Sequence, residues 1–465
     1  MPNRDRPRRD GHADLDSWLH DRIEPLPPPP GTFEAIRRRA RRRKYRRLAV
    51  SAGAAVVIIA AAVTVPQVVQ LPIERGKQEA GSSPVTHSVS GTTTRNGPQT
   101  TTTAPVAAPS SNSVPQSFQP SSVTAVSETT VFTIGQAGIP GQCATQYCTS
   151  IARTKDAGQT WIGLPAPVTG PPDGATGVGQ IRFLEGVNGW VFGPELWATH
   201  DGGLTWTSIK THGQRVIDVE TVGDRAFAIE ATCTGAGADF AAQCTSFTLY
   251  STPATVNRWT KVGAATSNLR PPDGAGSAGA AALVLTGARG YLLAPDGKLY
   301  AGPPTGAAWH PAGTIPCATG QAQLNGEPAG ALLGAVTAQN LLLACAQAQS
   351  GTTQAKMVYA SPDGGQSWHQ LQVPPAAGVA TSIAASPASS VVLGTSQGIE
   401  VLPSGSSAWR QASLTGSAPT TGFGFVGMTT DTHGMALPAD PADGTIWFTT
   451  DGGLTWKPSP VQGTA

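Results

Sequence analysis

Four aspartates lie in almost identical settings along the chain, and each setting could support metal binding or a tight turn. They belong to eight-residue boxes with the pattern Ser/Thr, any, Asp, any, Gly, any, Ser/Thr, Trp, at 154–161, 199–206, 361–368 and 449–456. A carboxylate beside glycine and hydroxyl groups can bind calcium or accept the N–H groups of its own turn. Calcium needs about six to eight oxygen ligands, and each box has one carboxylate. The sequence therefore favours a structural role, with no metal, no cofactor and no catalytic residue. The residues predicted to form the boxes are Thr154, Asp156, Gly158, Trp161, Thr199, Asp201, Gly203, Trp206, Ser361, Asp363, Gly365, Trp368, Thr449, Asp451, Gly453 and Trp456.

Six cysteines are the second group of residues whose spacing suggests chemistry. They are Cys143 with Cys148, Cys233 with Cys244, and Cys317 with Cys345. An even count with close pairs predicts disulfides, and hence an oxidising compartment outside the cytosol. Reduced, buried thiols remain the alternative. Zinc is disfavoured because there is no CxxC pair and the eight histidines are scattered.

The boxes belong to a longer internal repeat, which predicts the elements that position them. Trp161, Trp206, Trp259, Trp309, Trp368, Trp409 and Trp456 each follow a strand-like run and a turn, at intervals of 41 to 59 residues. Units of about 40 to 50 residues with several short strands are typical of propeller blades. The sequence therefore predicts an all-β, seven-bladed β-propeller over 118–465.

The second unit shows the predicted blade most clearly. Its four strands are expected at 179–184, 189–193, 196–199 and 205–209, so that the box forms the turn between the third and fourth strands. In that turn Asp201 would accept backbone N–H groups, Gly203 would take a positive φ and Thr205 would add a hydroxyl bond. Trp206 would then fill space between blades.

The boxes resemble the Asp-box, or BNR, repeat of bacterial sialidases, sortilin-type receptors and photosystem II assembly-factor-like propellers. The resemblance covers 118–465 and implies a structural turn that lies away from any active or binding site. A sialidase-like glycoside hydrolase would also need an arginine cluster that grips a carboxylate, and an Arg-Ile-Pro motif. The nearest match to that motif is Ile181-Arg182-Phe183, and the eight arginines of the body form no obvious trio. We therefore expect no enzyme, and keep glycoside hydrolysis as the alternative.

The direction of the strands predicts where a binding surface would lie. In a four-stranded antiparallel blade, the turns after the first and third strands share one face, and the other connections share the opposite face. The boxes lie on the first face, and all three cysteine pairs are expected on the opposite face. Disulfides there would stabilise long loops or hold a binding surface.

The N-terminal part is expected to anchor the propeller to a membrane. Residues 1–47 hold 14 Lys/Arg and 7 Asp/Glu, and 118–465 hold 14 and 20. The apolar segment within 48–71 is long enough for a single transmembrane helix, and the basic run before it should stay cytoplasmic. A cleaved signal is the alternative. The Ser/Thr/Pro-rich residues 72–117 are expected to be a disordered stalk.

Together these patterns predict a cell-membrane protein with a cytoplasmic N-terminus and an extracellular propeller that serves as a binding or scaffold module. The predicted partners are the membrane, through 48–71, and an unknown protein or glycan, without nucleic acid. Transmembrane signalling or assembly is a further alternative, because Trp18, Leu19 and Phe33 could contact a cytoplasmic partner. The excess of arginine over lysine, with abundant alanine and glycine, is typical of a GC-rich bacterial genome.

Overall fold

The computed structural model describes residues 113–115, 117–137, 149–170, 176–212, 215–233, 244–263, 266, 269, 281–294, 296–317, 323–324, 327–328, 331–386 and 390–462. All of them belong to the unit that spans Thr102–Ala465. No helix within these ranges has the length and apolar character needed to cross a bilayer. The segments 1–47 and 48–71 and most of 72–117 lie outside the described residues.

Seven units of four antiparallel strands follow one another along the described chain, and we call them blades 1 to 7. Blade 1 contains β1 (Gln119–Ala125), β2 (Val131–Gln136), β3 (Thr149–Thr154) and β4 (Ile162–Leu164). Blade 2 contains β5 (Gln180–Phe183), β6 (Gly189–Phe192), β7 (Leu196–Thr199) and β8 (Thr207–Ile209). Blade 3 contains β9 (Arg215–Val222), β10 (Arg225–Cys233), β11 (Cys244–Pro253) and β12 (Thr260–Lys261).

The remaining blades continue the same order, with two short additions. Blade 4 contains β13 (Ala282–Leu285), β14 (Gly290–Leu293), β15 (Lys298–Gly302) and β16 (His310–Thr314), and is followed by the small hairpin of β17 (Gln323–Leu324) and β18 (Glu327–Pro328). Blade 5 contains β19 (Leu332–Ala335), β20 (Leu341–Ser350), β21 (Thr353–Ser361) and β22 (His369–Gln370). Blade 6 contains β23 (Ala380–Ala385), β24 (Val391–Thr395), β25 (Gly398–Leu402) and β26 (Arg410–Gln411). Blade 7 contains β28 (Phe423–Met428), β29 (Gly434–Pro438), β30 (Thr445–Thr449) and β31 (Thr455–Pro460), with β27 (Ser413–Leu414) parallel to its outer strand and a 3-10 turn at Pro441–Asp443.

Seven hydrophobic clusters within the described residues hold the ring together, one between each pair of neighbouring blades. Phe132 and Phe183 stack between blades 1 and 2, with ring centroids 3.8 Å apart. Corresponding clusters continue round the ring to the one that joins blades 7 and 1. Both faces of each blade are therefore packed, which is why second strands such as β6 and β24 are continuous buried runs. The all-β, seven-bladed propeller predicted from the repeat is confirmed.

The ring closes through side chains, without an exchanged strand. The first strand of blade 1 pairs only with β2, and the last blade contains its own four strands. Trp161 and Val131 of blade 1 pack with Leu437 and Ile446 of blade 7. The Nε1–H group of Trp161 donates to Ser459 Oγ (3.1 Å), and Ser459 Oγ donates to the carbonyl of Gly158 (2.5 Å). We call this junction between blades 7 and 1 the seam.

Candidate binding site

The structure places each box in the turn between the third and fourth strands of blades 1, 2, 5 and 7. In blade 2, Thr199 Oγ1 donates to Asp201 Oδ1 (2.7 Å) and accepts the N–H of Gly203 (3.0 Å). Thr205 donates its N–H to Asp201 Oδ1 (2.9 Å) and its hydroxyl to Asp201 Oδ2 (2.5 Å). In the other three boxes, too, the hydroxyl at the first position donates to the carboxylate. The glycine at the fifth position of each box has the positive φ that the turn requires, between 86° and 92°.

The box carboxylates are used inside their own turns. Hydroxyl and N–H bonds from Thr205 and Ser367 lower the pKa of Asp201 and of Asp363 to about 2, against the opposing effect of desolvation. Both oxygens of Asp201 and of Asp363 already accept hydrogen bonds. No group of three or more His, Cys, Asp or Glu side chains in the described ranges is arranged to hold a metal ion. The boxes therefore act as fasteners of the turn.

The tryptophans that begin the fourth strands join neighbouring blades. Trp206 Nε1 donates to the carbonyl of Pro165 in the preceding blade (3.0 Å), and Trp409 Nε1 donates to that of Gln372 (2.7 Å). Trp161 makes the equivalent bond to Ser459 across the seam. The repeated tryptophan thus contributes both packing area and a hydrogen bond to each of these junctions.

Two disulfides are present among the described residues. Cys233 and Cys244 join the end of β10 to the start of β11, with a Cα–Cα distance of 3.8 Å. Cys317 in the connection after blade 4 is bonded to Cys345. Cys345 lies within β20, because the chain after it continues to pair with β21 at Ala346, Gln349 and Ser350. Cys143 and Cys148 lie outside the described residues.

A cavity of about 260 Å³ lies on the face opposite the boxes, next to the seam. Its walls come from the start of β1, the start of β5, and the strands β28 and β29 of blade 7. Ser121, Gln180 and Arg182 supply polar groups, and Phe425 and Pro438 are among the apolar residues. Arg182 is the one charged side chain in the part of the wall that the structure describes.

Arg182 is held in place by fixed contacts behind the cavity. Its Nε donates to Glu220 Oε1 (2.9 Å) and its Nη1 donates to the carbonyl of Ile181 (2.9 Å). Its side chain is 18% exposed. Asp218 lies close by on β9, where its Oδ2 accepts the N–H of Leu283 in blade 4 (3.2 Å). Burial, followed by the charge of Glu220, raises the pKa of Asp218 to about 7, and Arg182 opposes this rise.

Polar side chains near bulges join the inner strands of adjacent blades, and we call these links clips. Ser121 and Thr381 are each an extra residue in the strand register, and their hydroxyls donate to carbonyls of the next blade, Gly179 (2.8 Å) and Phe423 (2.6 Å). Their neighbours complete the link, since Ser122 Oγ accepts the N–H of Ile181 and Ser382 Oγ that of Val426. Asp218 follows a third bulge and reaches blade 4.

A buried lysine joins blades 5 and 6 on the face opposite the boxes. Lys356 Nζ donates to the carbonyls of Gln354 (3.2 Å), Ala377 (3.0 Å) and Gly378 (2.8 Å). Its side chain is buried, and the buried carboxylate of Glu400 is the charge that acts on it. Three backbone oxygens thereby use all three donors of the ammonium group.

The sequence did not identify the cavity or the clips. From the sequence, Arg182 was considered only as part of Ile181-Arg182-Phe183, the nearest match to an Arg-Ile-Pro motif, and Gln180 was not predicted as a site residue. A signal for two of the clips is present, because Ser121-Ser122 and Thr381-Ser382 occupy the same place at the start of the first strand of their units. The eight arginines considered for a carboxylate-gripping cluster contribute one member, Arg182, to the described cavity wall.

These features define the described chain as a seven-bladed β-propeller with a polar cavity at one end of its inner strands. No protein-family model matches the chain, and a search of curated proteins gave no match. It is similar in structure to YCF48 bound to D1 peptide, with 16% identity, 73% of this chain and 95% of that chain covered, and a TM-score of 0.47. It is also similar to YCF48 from Cyanidioschyzon merolae, with 16% identity, coverage of 61% and 85%, and a TM-score of 0.41. For a GH74 enzyme from Niastella koreensis the identity is 13%, the coverage 74% and 66%, and the TM-score 0.36. Likenesses at this level assign no ligand and no reaction.

Proposed function

We propose that the protein is a membrane-anchored binding module that presents the face opposite the boxes to a protein or glycan outside the cytoplasm. The observation that carries this proposal is the cavity next to the seam, which combines Arg182 and Gln180 with an apolar wall. Binding sites are concave, and a few well-placed polar groups in them fix the orientation of a ligand. On the box face the described residues line only a much smaller cavity, of about 20 Å³, beside Glu128 and His433, and the aspartates of the boxes are occupied by their own turns.

The hairpins around this face are held in ways that suit a rigid binding surface. Cys233–Cys244 fastens the β10–β11 hairpin, and Cys317–Cys345 fastens β20 to the connection before it. The tip of the β20–β21 hairpin reaches the next blade, where Thr352 accepts the N–H of Gly378 (3.1 Å). Rigid loops lose little conformational entropy on binding, which favours recognition.

Site-specific photo-crosslinking in the full-length protein, in its native membranes, tests the binding face. A photoreactive residue at Gln180 reports on the cavity, and the matched control replaces Leu204, which is 60% exposed in a box. We expect a discrete crosslinked partner from position 180 and none from position 204. Crosslinks from position 204 alone would refute the proposal.

The membrane anchor is a separate part of the proposal, supported by the uncharged apolar run within 48–71. We expect the full-length protein to stay with membranes during alkaline extraction, and a variant lacking 48–71 to be released. Protease added to intact cells should remove the propeller and leave residues 1–47 protected. Release of the full-length protein would contradict the anchor without affecting the binding face.

A further inference from the structure

The cavity lies at the seam, a junction between blades that has no clip. The bulge in β28 falls at Gly424, and the next residue is Phe425. In the equivalent places of β1 and β23, hydroxyl groups bond to the following blade. Neither Gly424 nor Phe425 carries a hydrogen-bonding side chain, and no side-chain hydrogen bond links β28 with β1 in the described chain. Phe425 instead forms part of the cavity wall. The seam thus has a space where the junctions of blades 1 and 2, 3 and 4, and 6 and 7 have a clip.

The side chain of Arg182 lines this space and is held by two hydrogen bonds. Two of its nitrogens are held, by Glu220 and by the carbonyl of Ile181. Its Nη2 has no hydrogen-bond partner within the described residues, and the side chain lines the cavity. A guanidinium that is already oriented loses little rotamer entropy on binding, and its Nη2 can donate charge-assisted hydrogen bonds to a carboxylate.

The other walls complete a mixed site. Gln180 is exposed at the cavity, and its amide can donate a second hydrogen bond. Phe425 offers apolar surface on the blade 7 side, beside the buried Leu437 and Pro438. At about 30 Å³ for each water-sized group, a cavity of 260 Å³ has room for roughly nine such groups, close to one amino-acid residue.

We infer that this cavity binds a carboxylate attached to a short apolar chain, with Arg182 and Gln180 holding the carboxylate and the blade 7 wall packing against the chain. The inference rests on the proposed function, since it names the chemistry that the binding face recognises. The carboxylate can come from a free organic acid or from the end of a polypeptide. The two sources share the same contacts in the cavity and differ in what extends beyond it.

The charges behind Arg182 add a pH dependence to this binding. Asp218 faces Glu220 and Arg182 and accepts the N–H of Leu283. Its pKa, raised to about 7 by burial and by Glu220, means that it carries a proton below that pH. At higher pH two carboxylates face one guanidinium and repel an incoming anion. Binding of a carboxylate should therefore tighten as the pH falls from 8 to 6.

The test uses the full-length protein in detergent, with N-acetyl-leucine and N-acetyl-leucinamide as probes in ligand-observed NMR. A fragment of this size should bind with a dissociation constant on the order of 1 mM. We expect the amide to bind at least about tenfold more weakly, because an amide lacks the charge that Arg182 recognises. A leucine-terminated pentapeptide that binds tighter than N-acetyl-leucine would point to a polypeptide end, and equal affinities would point to a free acid.

Variants separate the inferred contacts from the fold. Arg182→Lys keeps the charge and loses the planar guanidinium group. Gln180→Leu leaves the contacts of Arg182 intact. Each should weaken N-acetyl-leucine binding by about three- to tenfold, whereas Arg410→Lys, at an exposed arginine on β26, should not. Asp218→Asn should remove the pH dependence.

Equal binding of acid and amide, or wild-type affinity in both the Arg182 and Gln180 variants, would overturn the inference. If crosslinks from position 180 persisted in that case, the proposed binding face would still hold and only the carboxylate ligand would be excluded.

Discussion

At the scale of single residues, the boxes show how all the hydrogen bonds of one carboxylate can lie within its own turn. Asp201 accepts two bonds from Thr205 and one from Thr199, and it also accepts the N–H of Leu204. An Asp was readily predicted here because short carboxylates bond the backbone just beyond them. What the sequence could not show was the distribution of bonds between the two oxygens.

Replacing a box aspartate tests this role. Asp201→Asn should lower the free energy of unfolding by about 1 kcal/mol, a modest effect because the group is exposed. The lowered pKa of about 2 means that Asp201 stabilises the fold above pH 4 and loses this contribution as the pH falls toward 2. The variant should lack that loss. Denaturant titrations at pH 7, 4 and 2 measure both effects, with Asp224→Asn at an exposed turn as the control. Identical behaviour of the two variants would contradict the assignment.

The buried ammonium of Lys356 offers a second test at this scale. Lys356→Met should destabilise the propeller by about 3 kcal/mol, because it removes the donor of three carbonyl groups and the positive charge that acts on the buried Glu400. The double variant Lys356→Met with Glu400→Met should regain only the part of that loss that comes from the charge of Glu400. Chemical denaturation of the two single variants and the double variant gives the coupling between the positions. Strictly additive losses would mean that the two groups do not act as a pair.

At the scale of strands and blades, the sequence predicted elements well where a repeat defined them. The strands expected in the second unit at 179–184 and 189–193 lie at Gln180–Phe183 and Gly189–Phe192. The end of a strand is harder to predict where backbone pairing continues beyond the apolar residues, as in β20, which extends through Ala346 to Ser350. Backbone pairing with the facing strand decides where such a strand ends, and the facing strand cannot be read from the residues of one segment.

The seam is the element-scale feature most open to mutation. Ser459→Ala removes the acceptor of Trp161 Nε1 and the donor to Gly158, so it should cost about 1 to 2 kcal/mol. Hydrogen exchange should increase most in blades 1 and 7, because their junction loses a link that no strand replaces. Ser208→Ala, at an exposed position of β8, is the matched control. A uniform increase over all blades would argue against a local weakening of the seam.

At the scale of the whole molecule, the propeller was predictable and its cavity was not. Seven tryptophans at similar intervals define the number of blades, but the cavity walls come from residues near 120, 180, 425 and 438. No spacing rule connects these positions, because only ring closure brings the first, second and last blades together. Gln180 and Phe425 therefore gain their significance from the closed ring.

The two observed disulfides should stabilise the whole fold to different extents. Loop-entropy arguments give about 3.5 kcal/mol for Cys317–Cys345, which has a sequence separation of 28, and about 3 kcal/mol for Cys233–Cys244, which has a separation of 11. Replacing each pair by serine and measuring chemical denaturation tests this order. Loss of stability only for the Cys233–Cys244 pair would indicate that local packing, and not chain entropy, governs their effect.

Ring closure by side chains also has a mechanical consequence. Phe118, just before β1, and Val461, just after β31, both lie at Gly444, where Val461 donates its N–H to the carbonyl of Gly444 (3.0 Å) and the carbonyl of Phe118 is also close. A pulling force applied through the chain that precedes Ser113 would reach β1 directly. It would load the seam, where the first and last blades meet and no connecting segment of the chain links them, so blade 1 should separate from blade 7 before any other pair of blades separates. The propeller would then open under tension at the seam, because the pulled chain leads into blade 1.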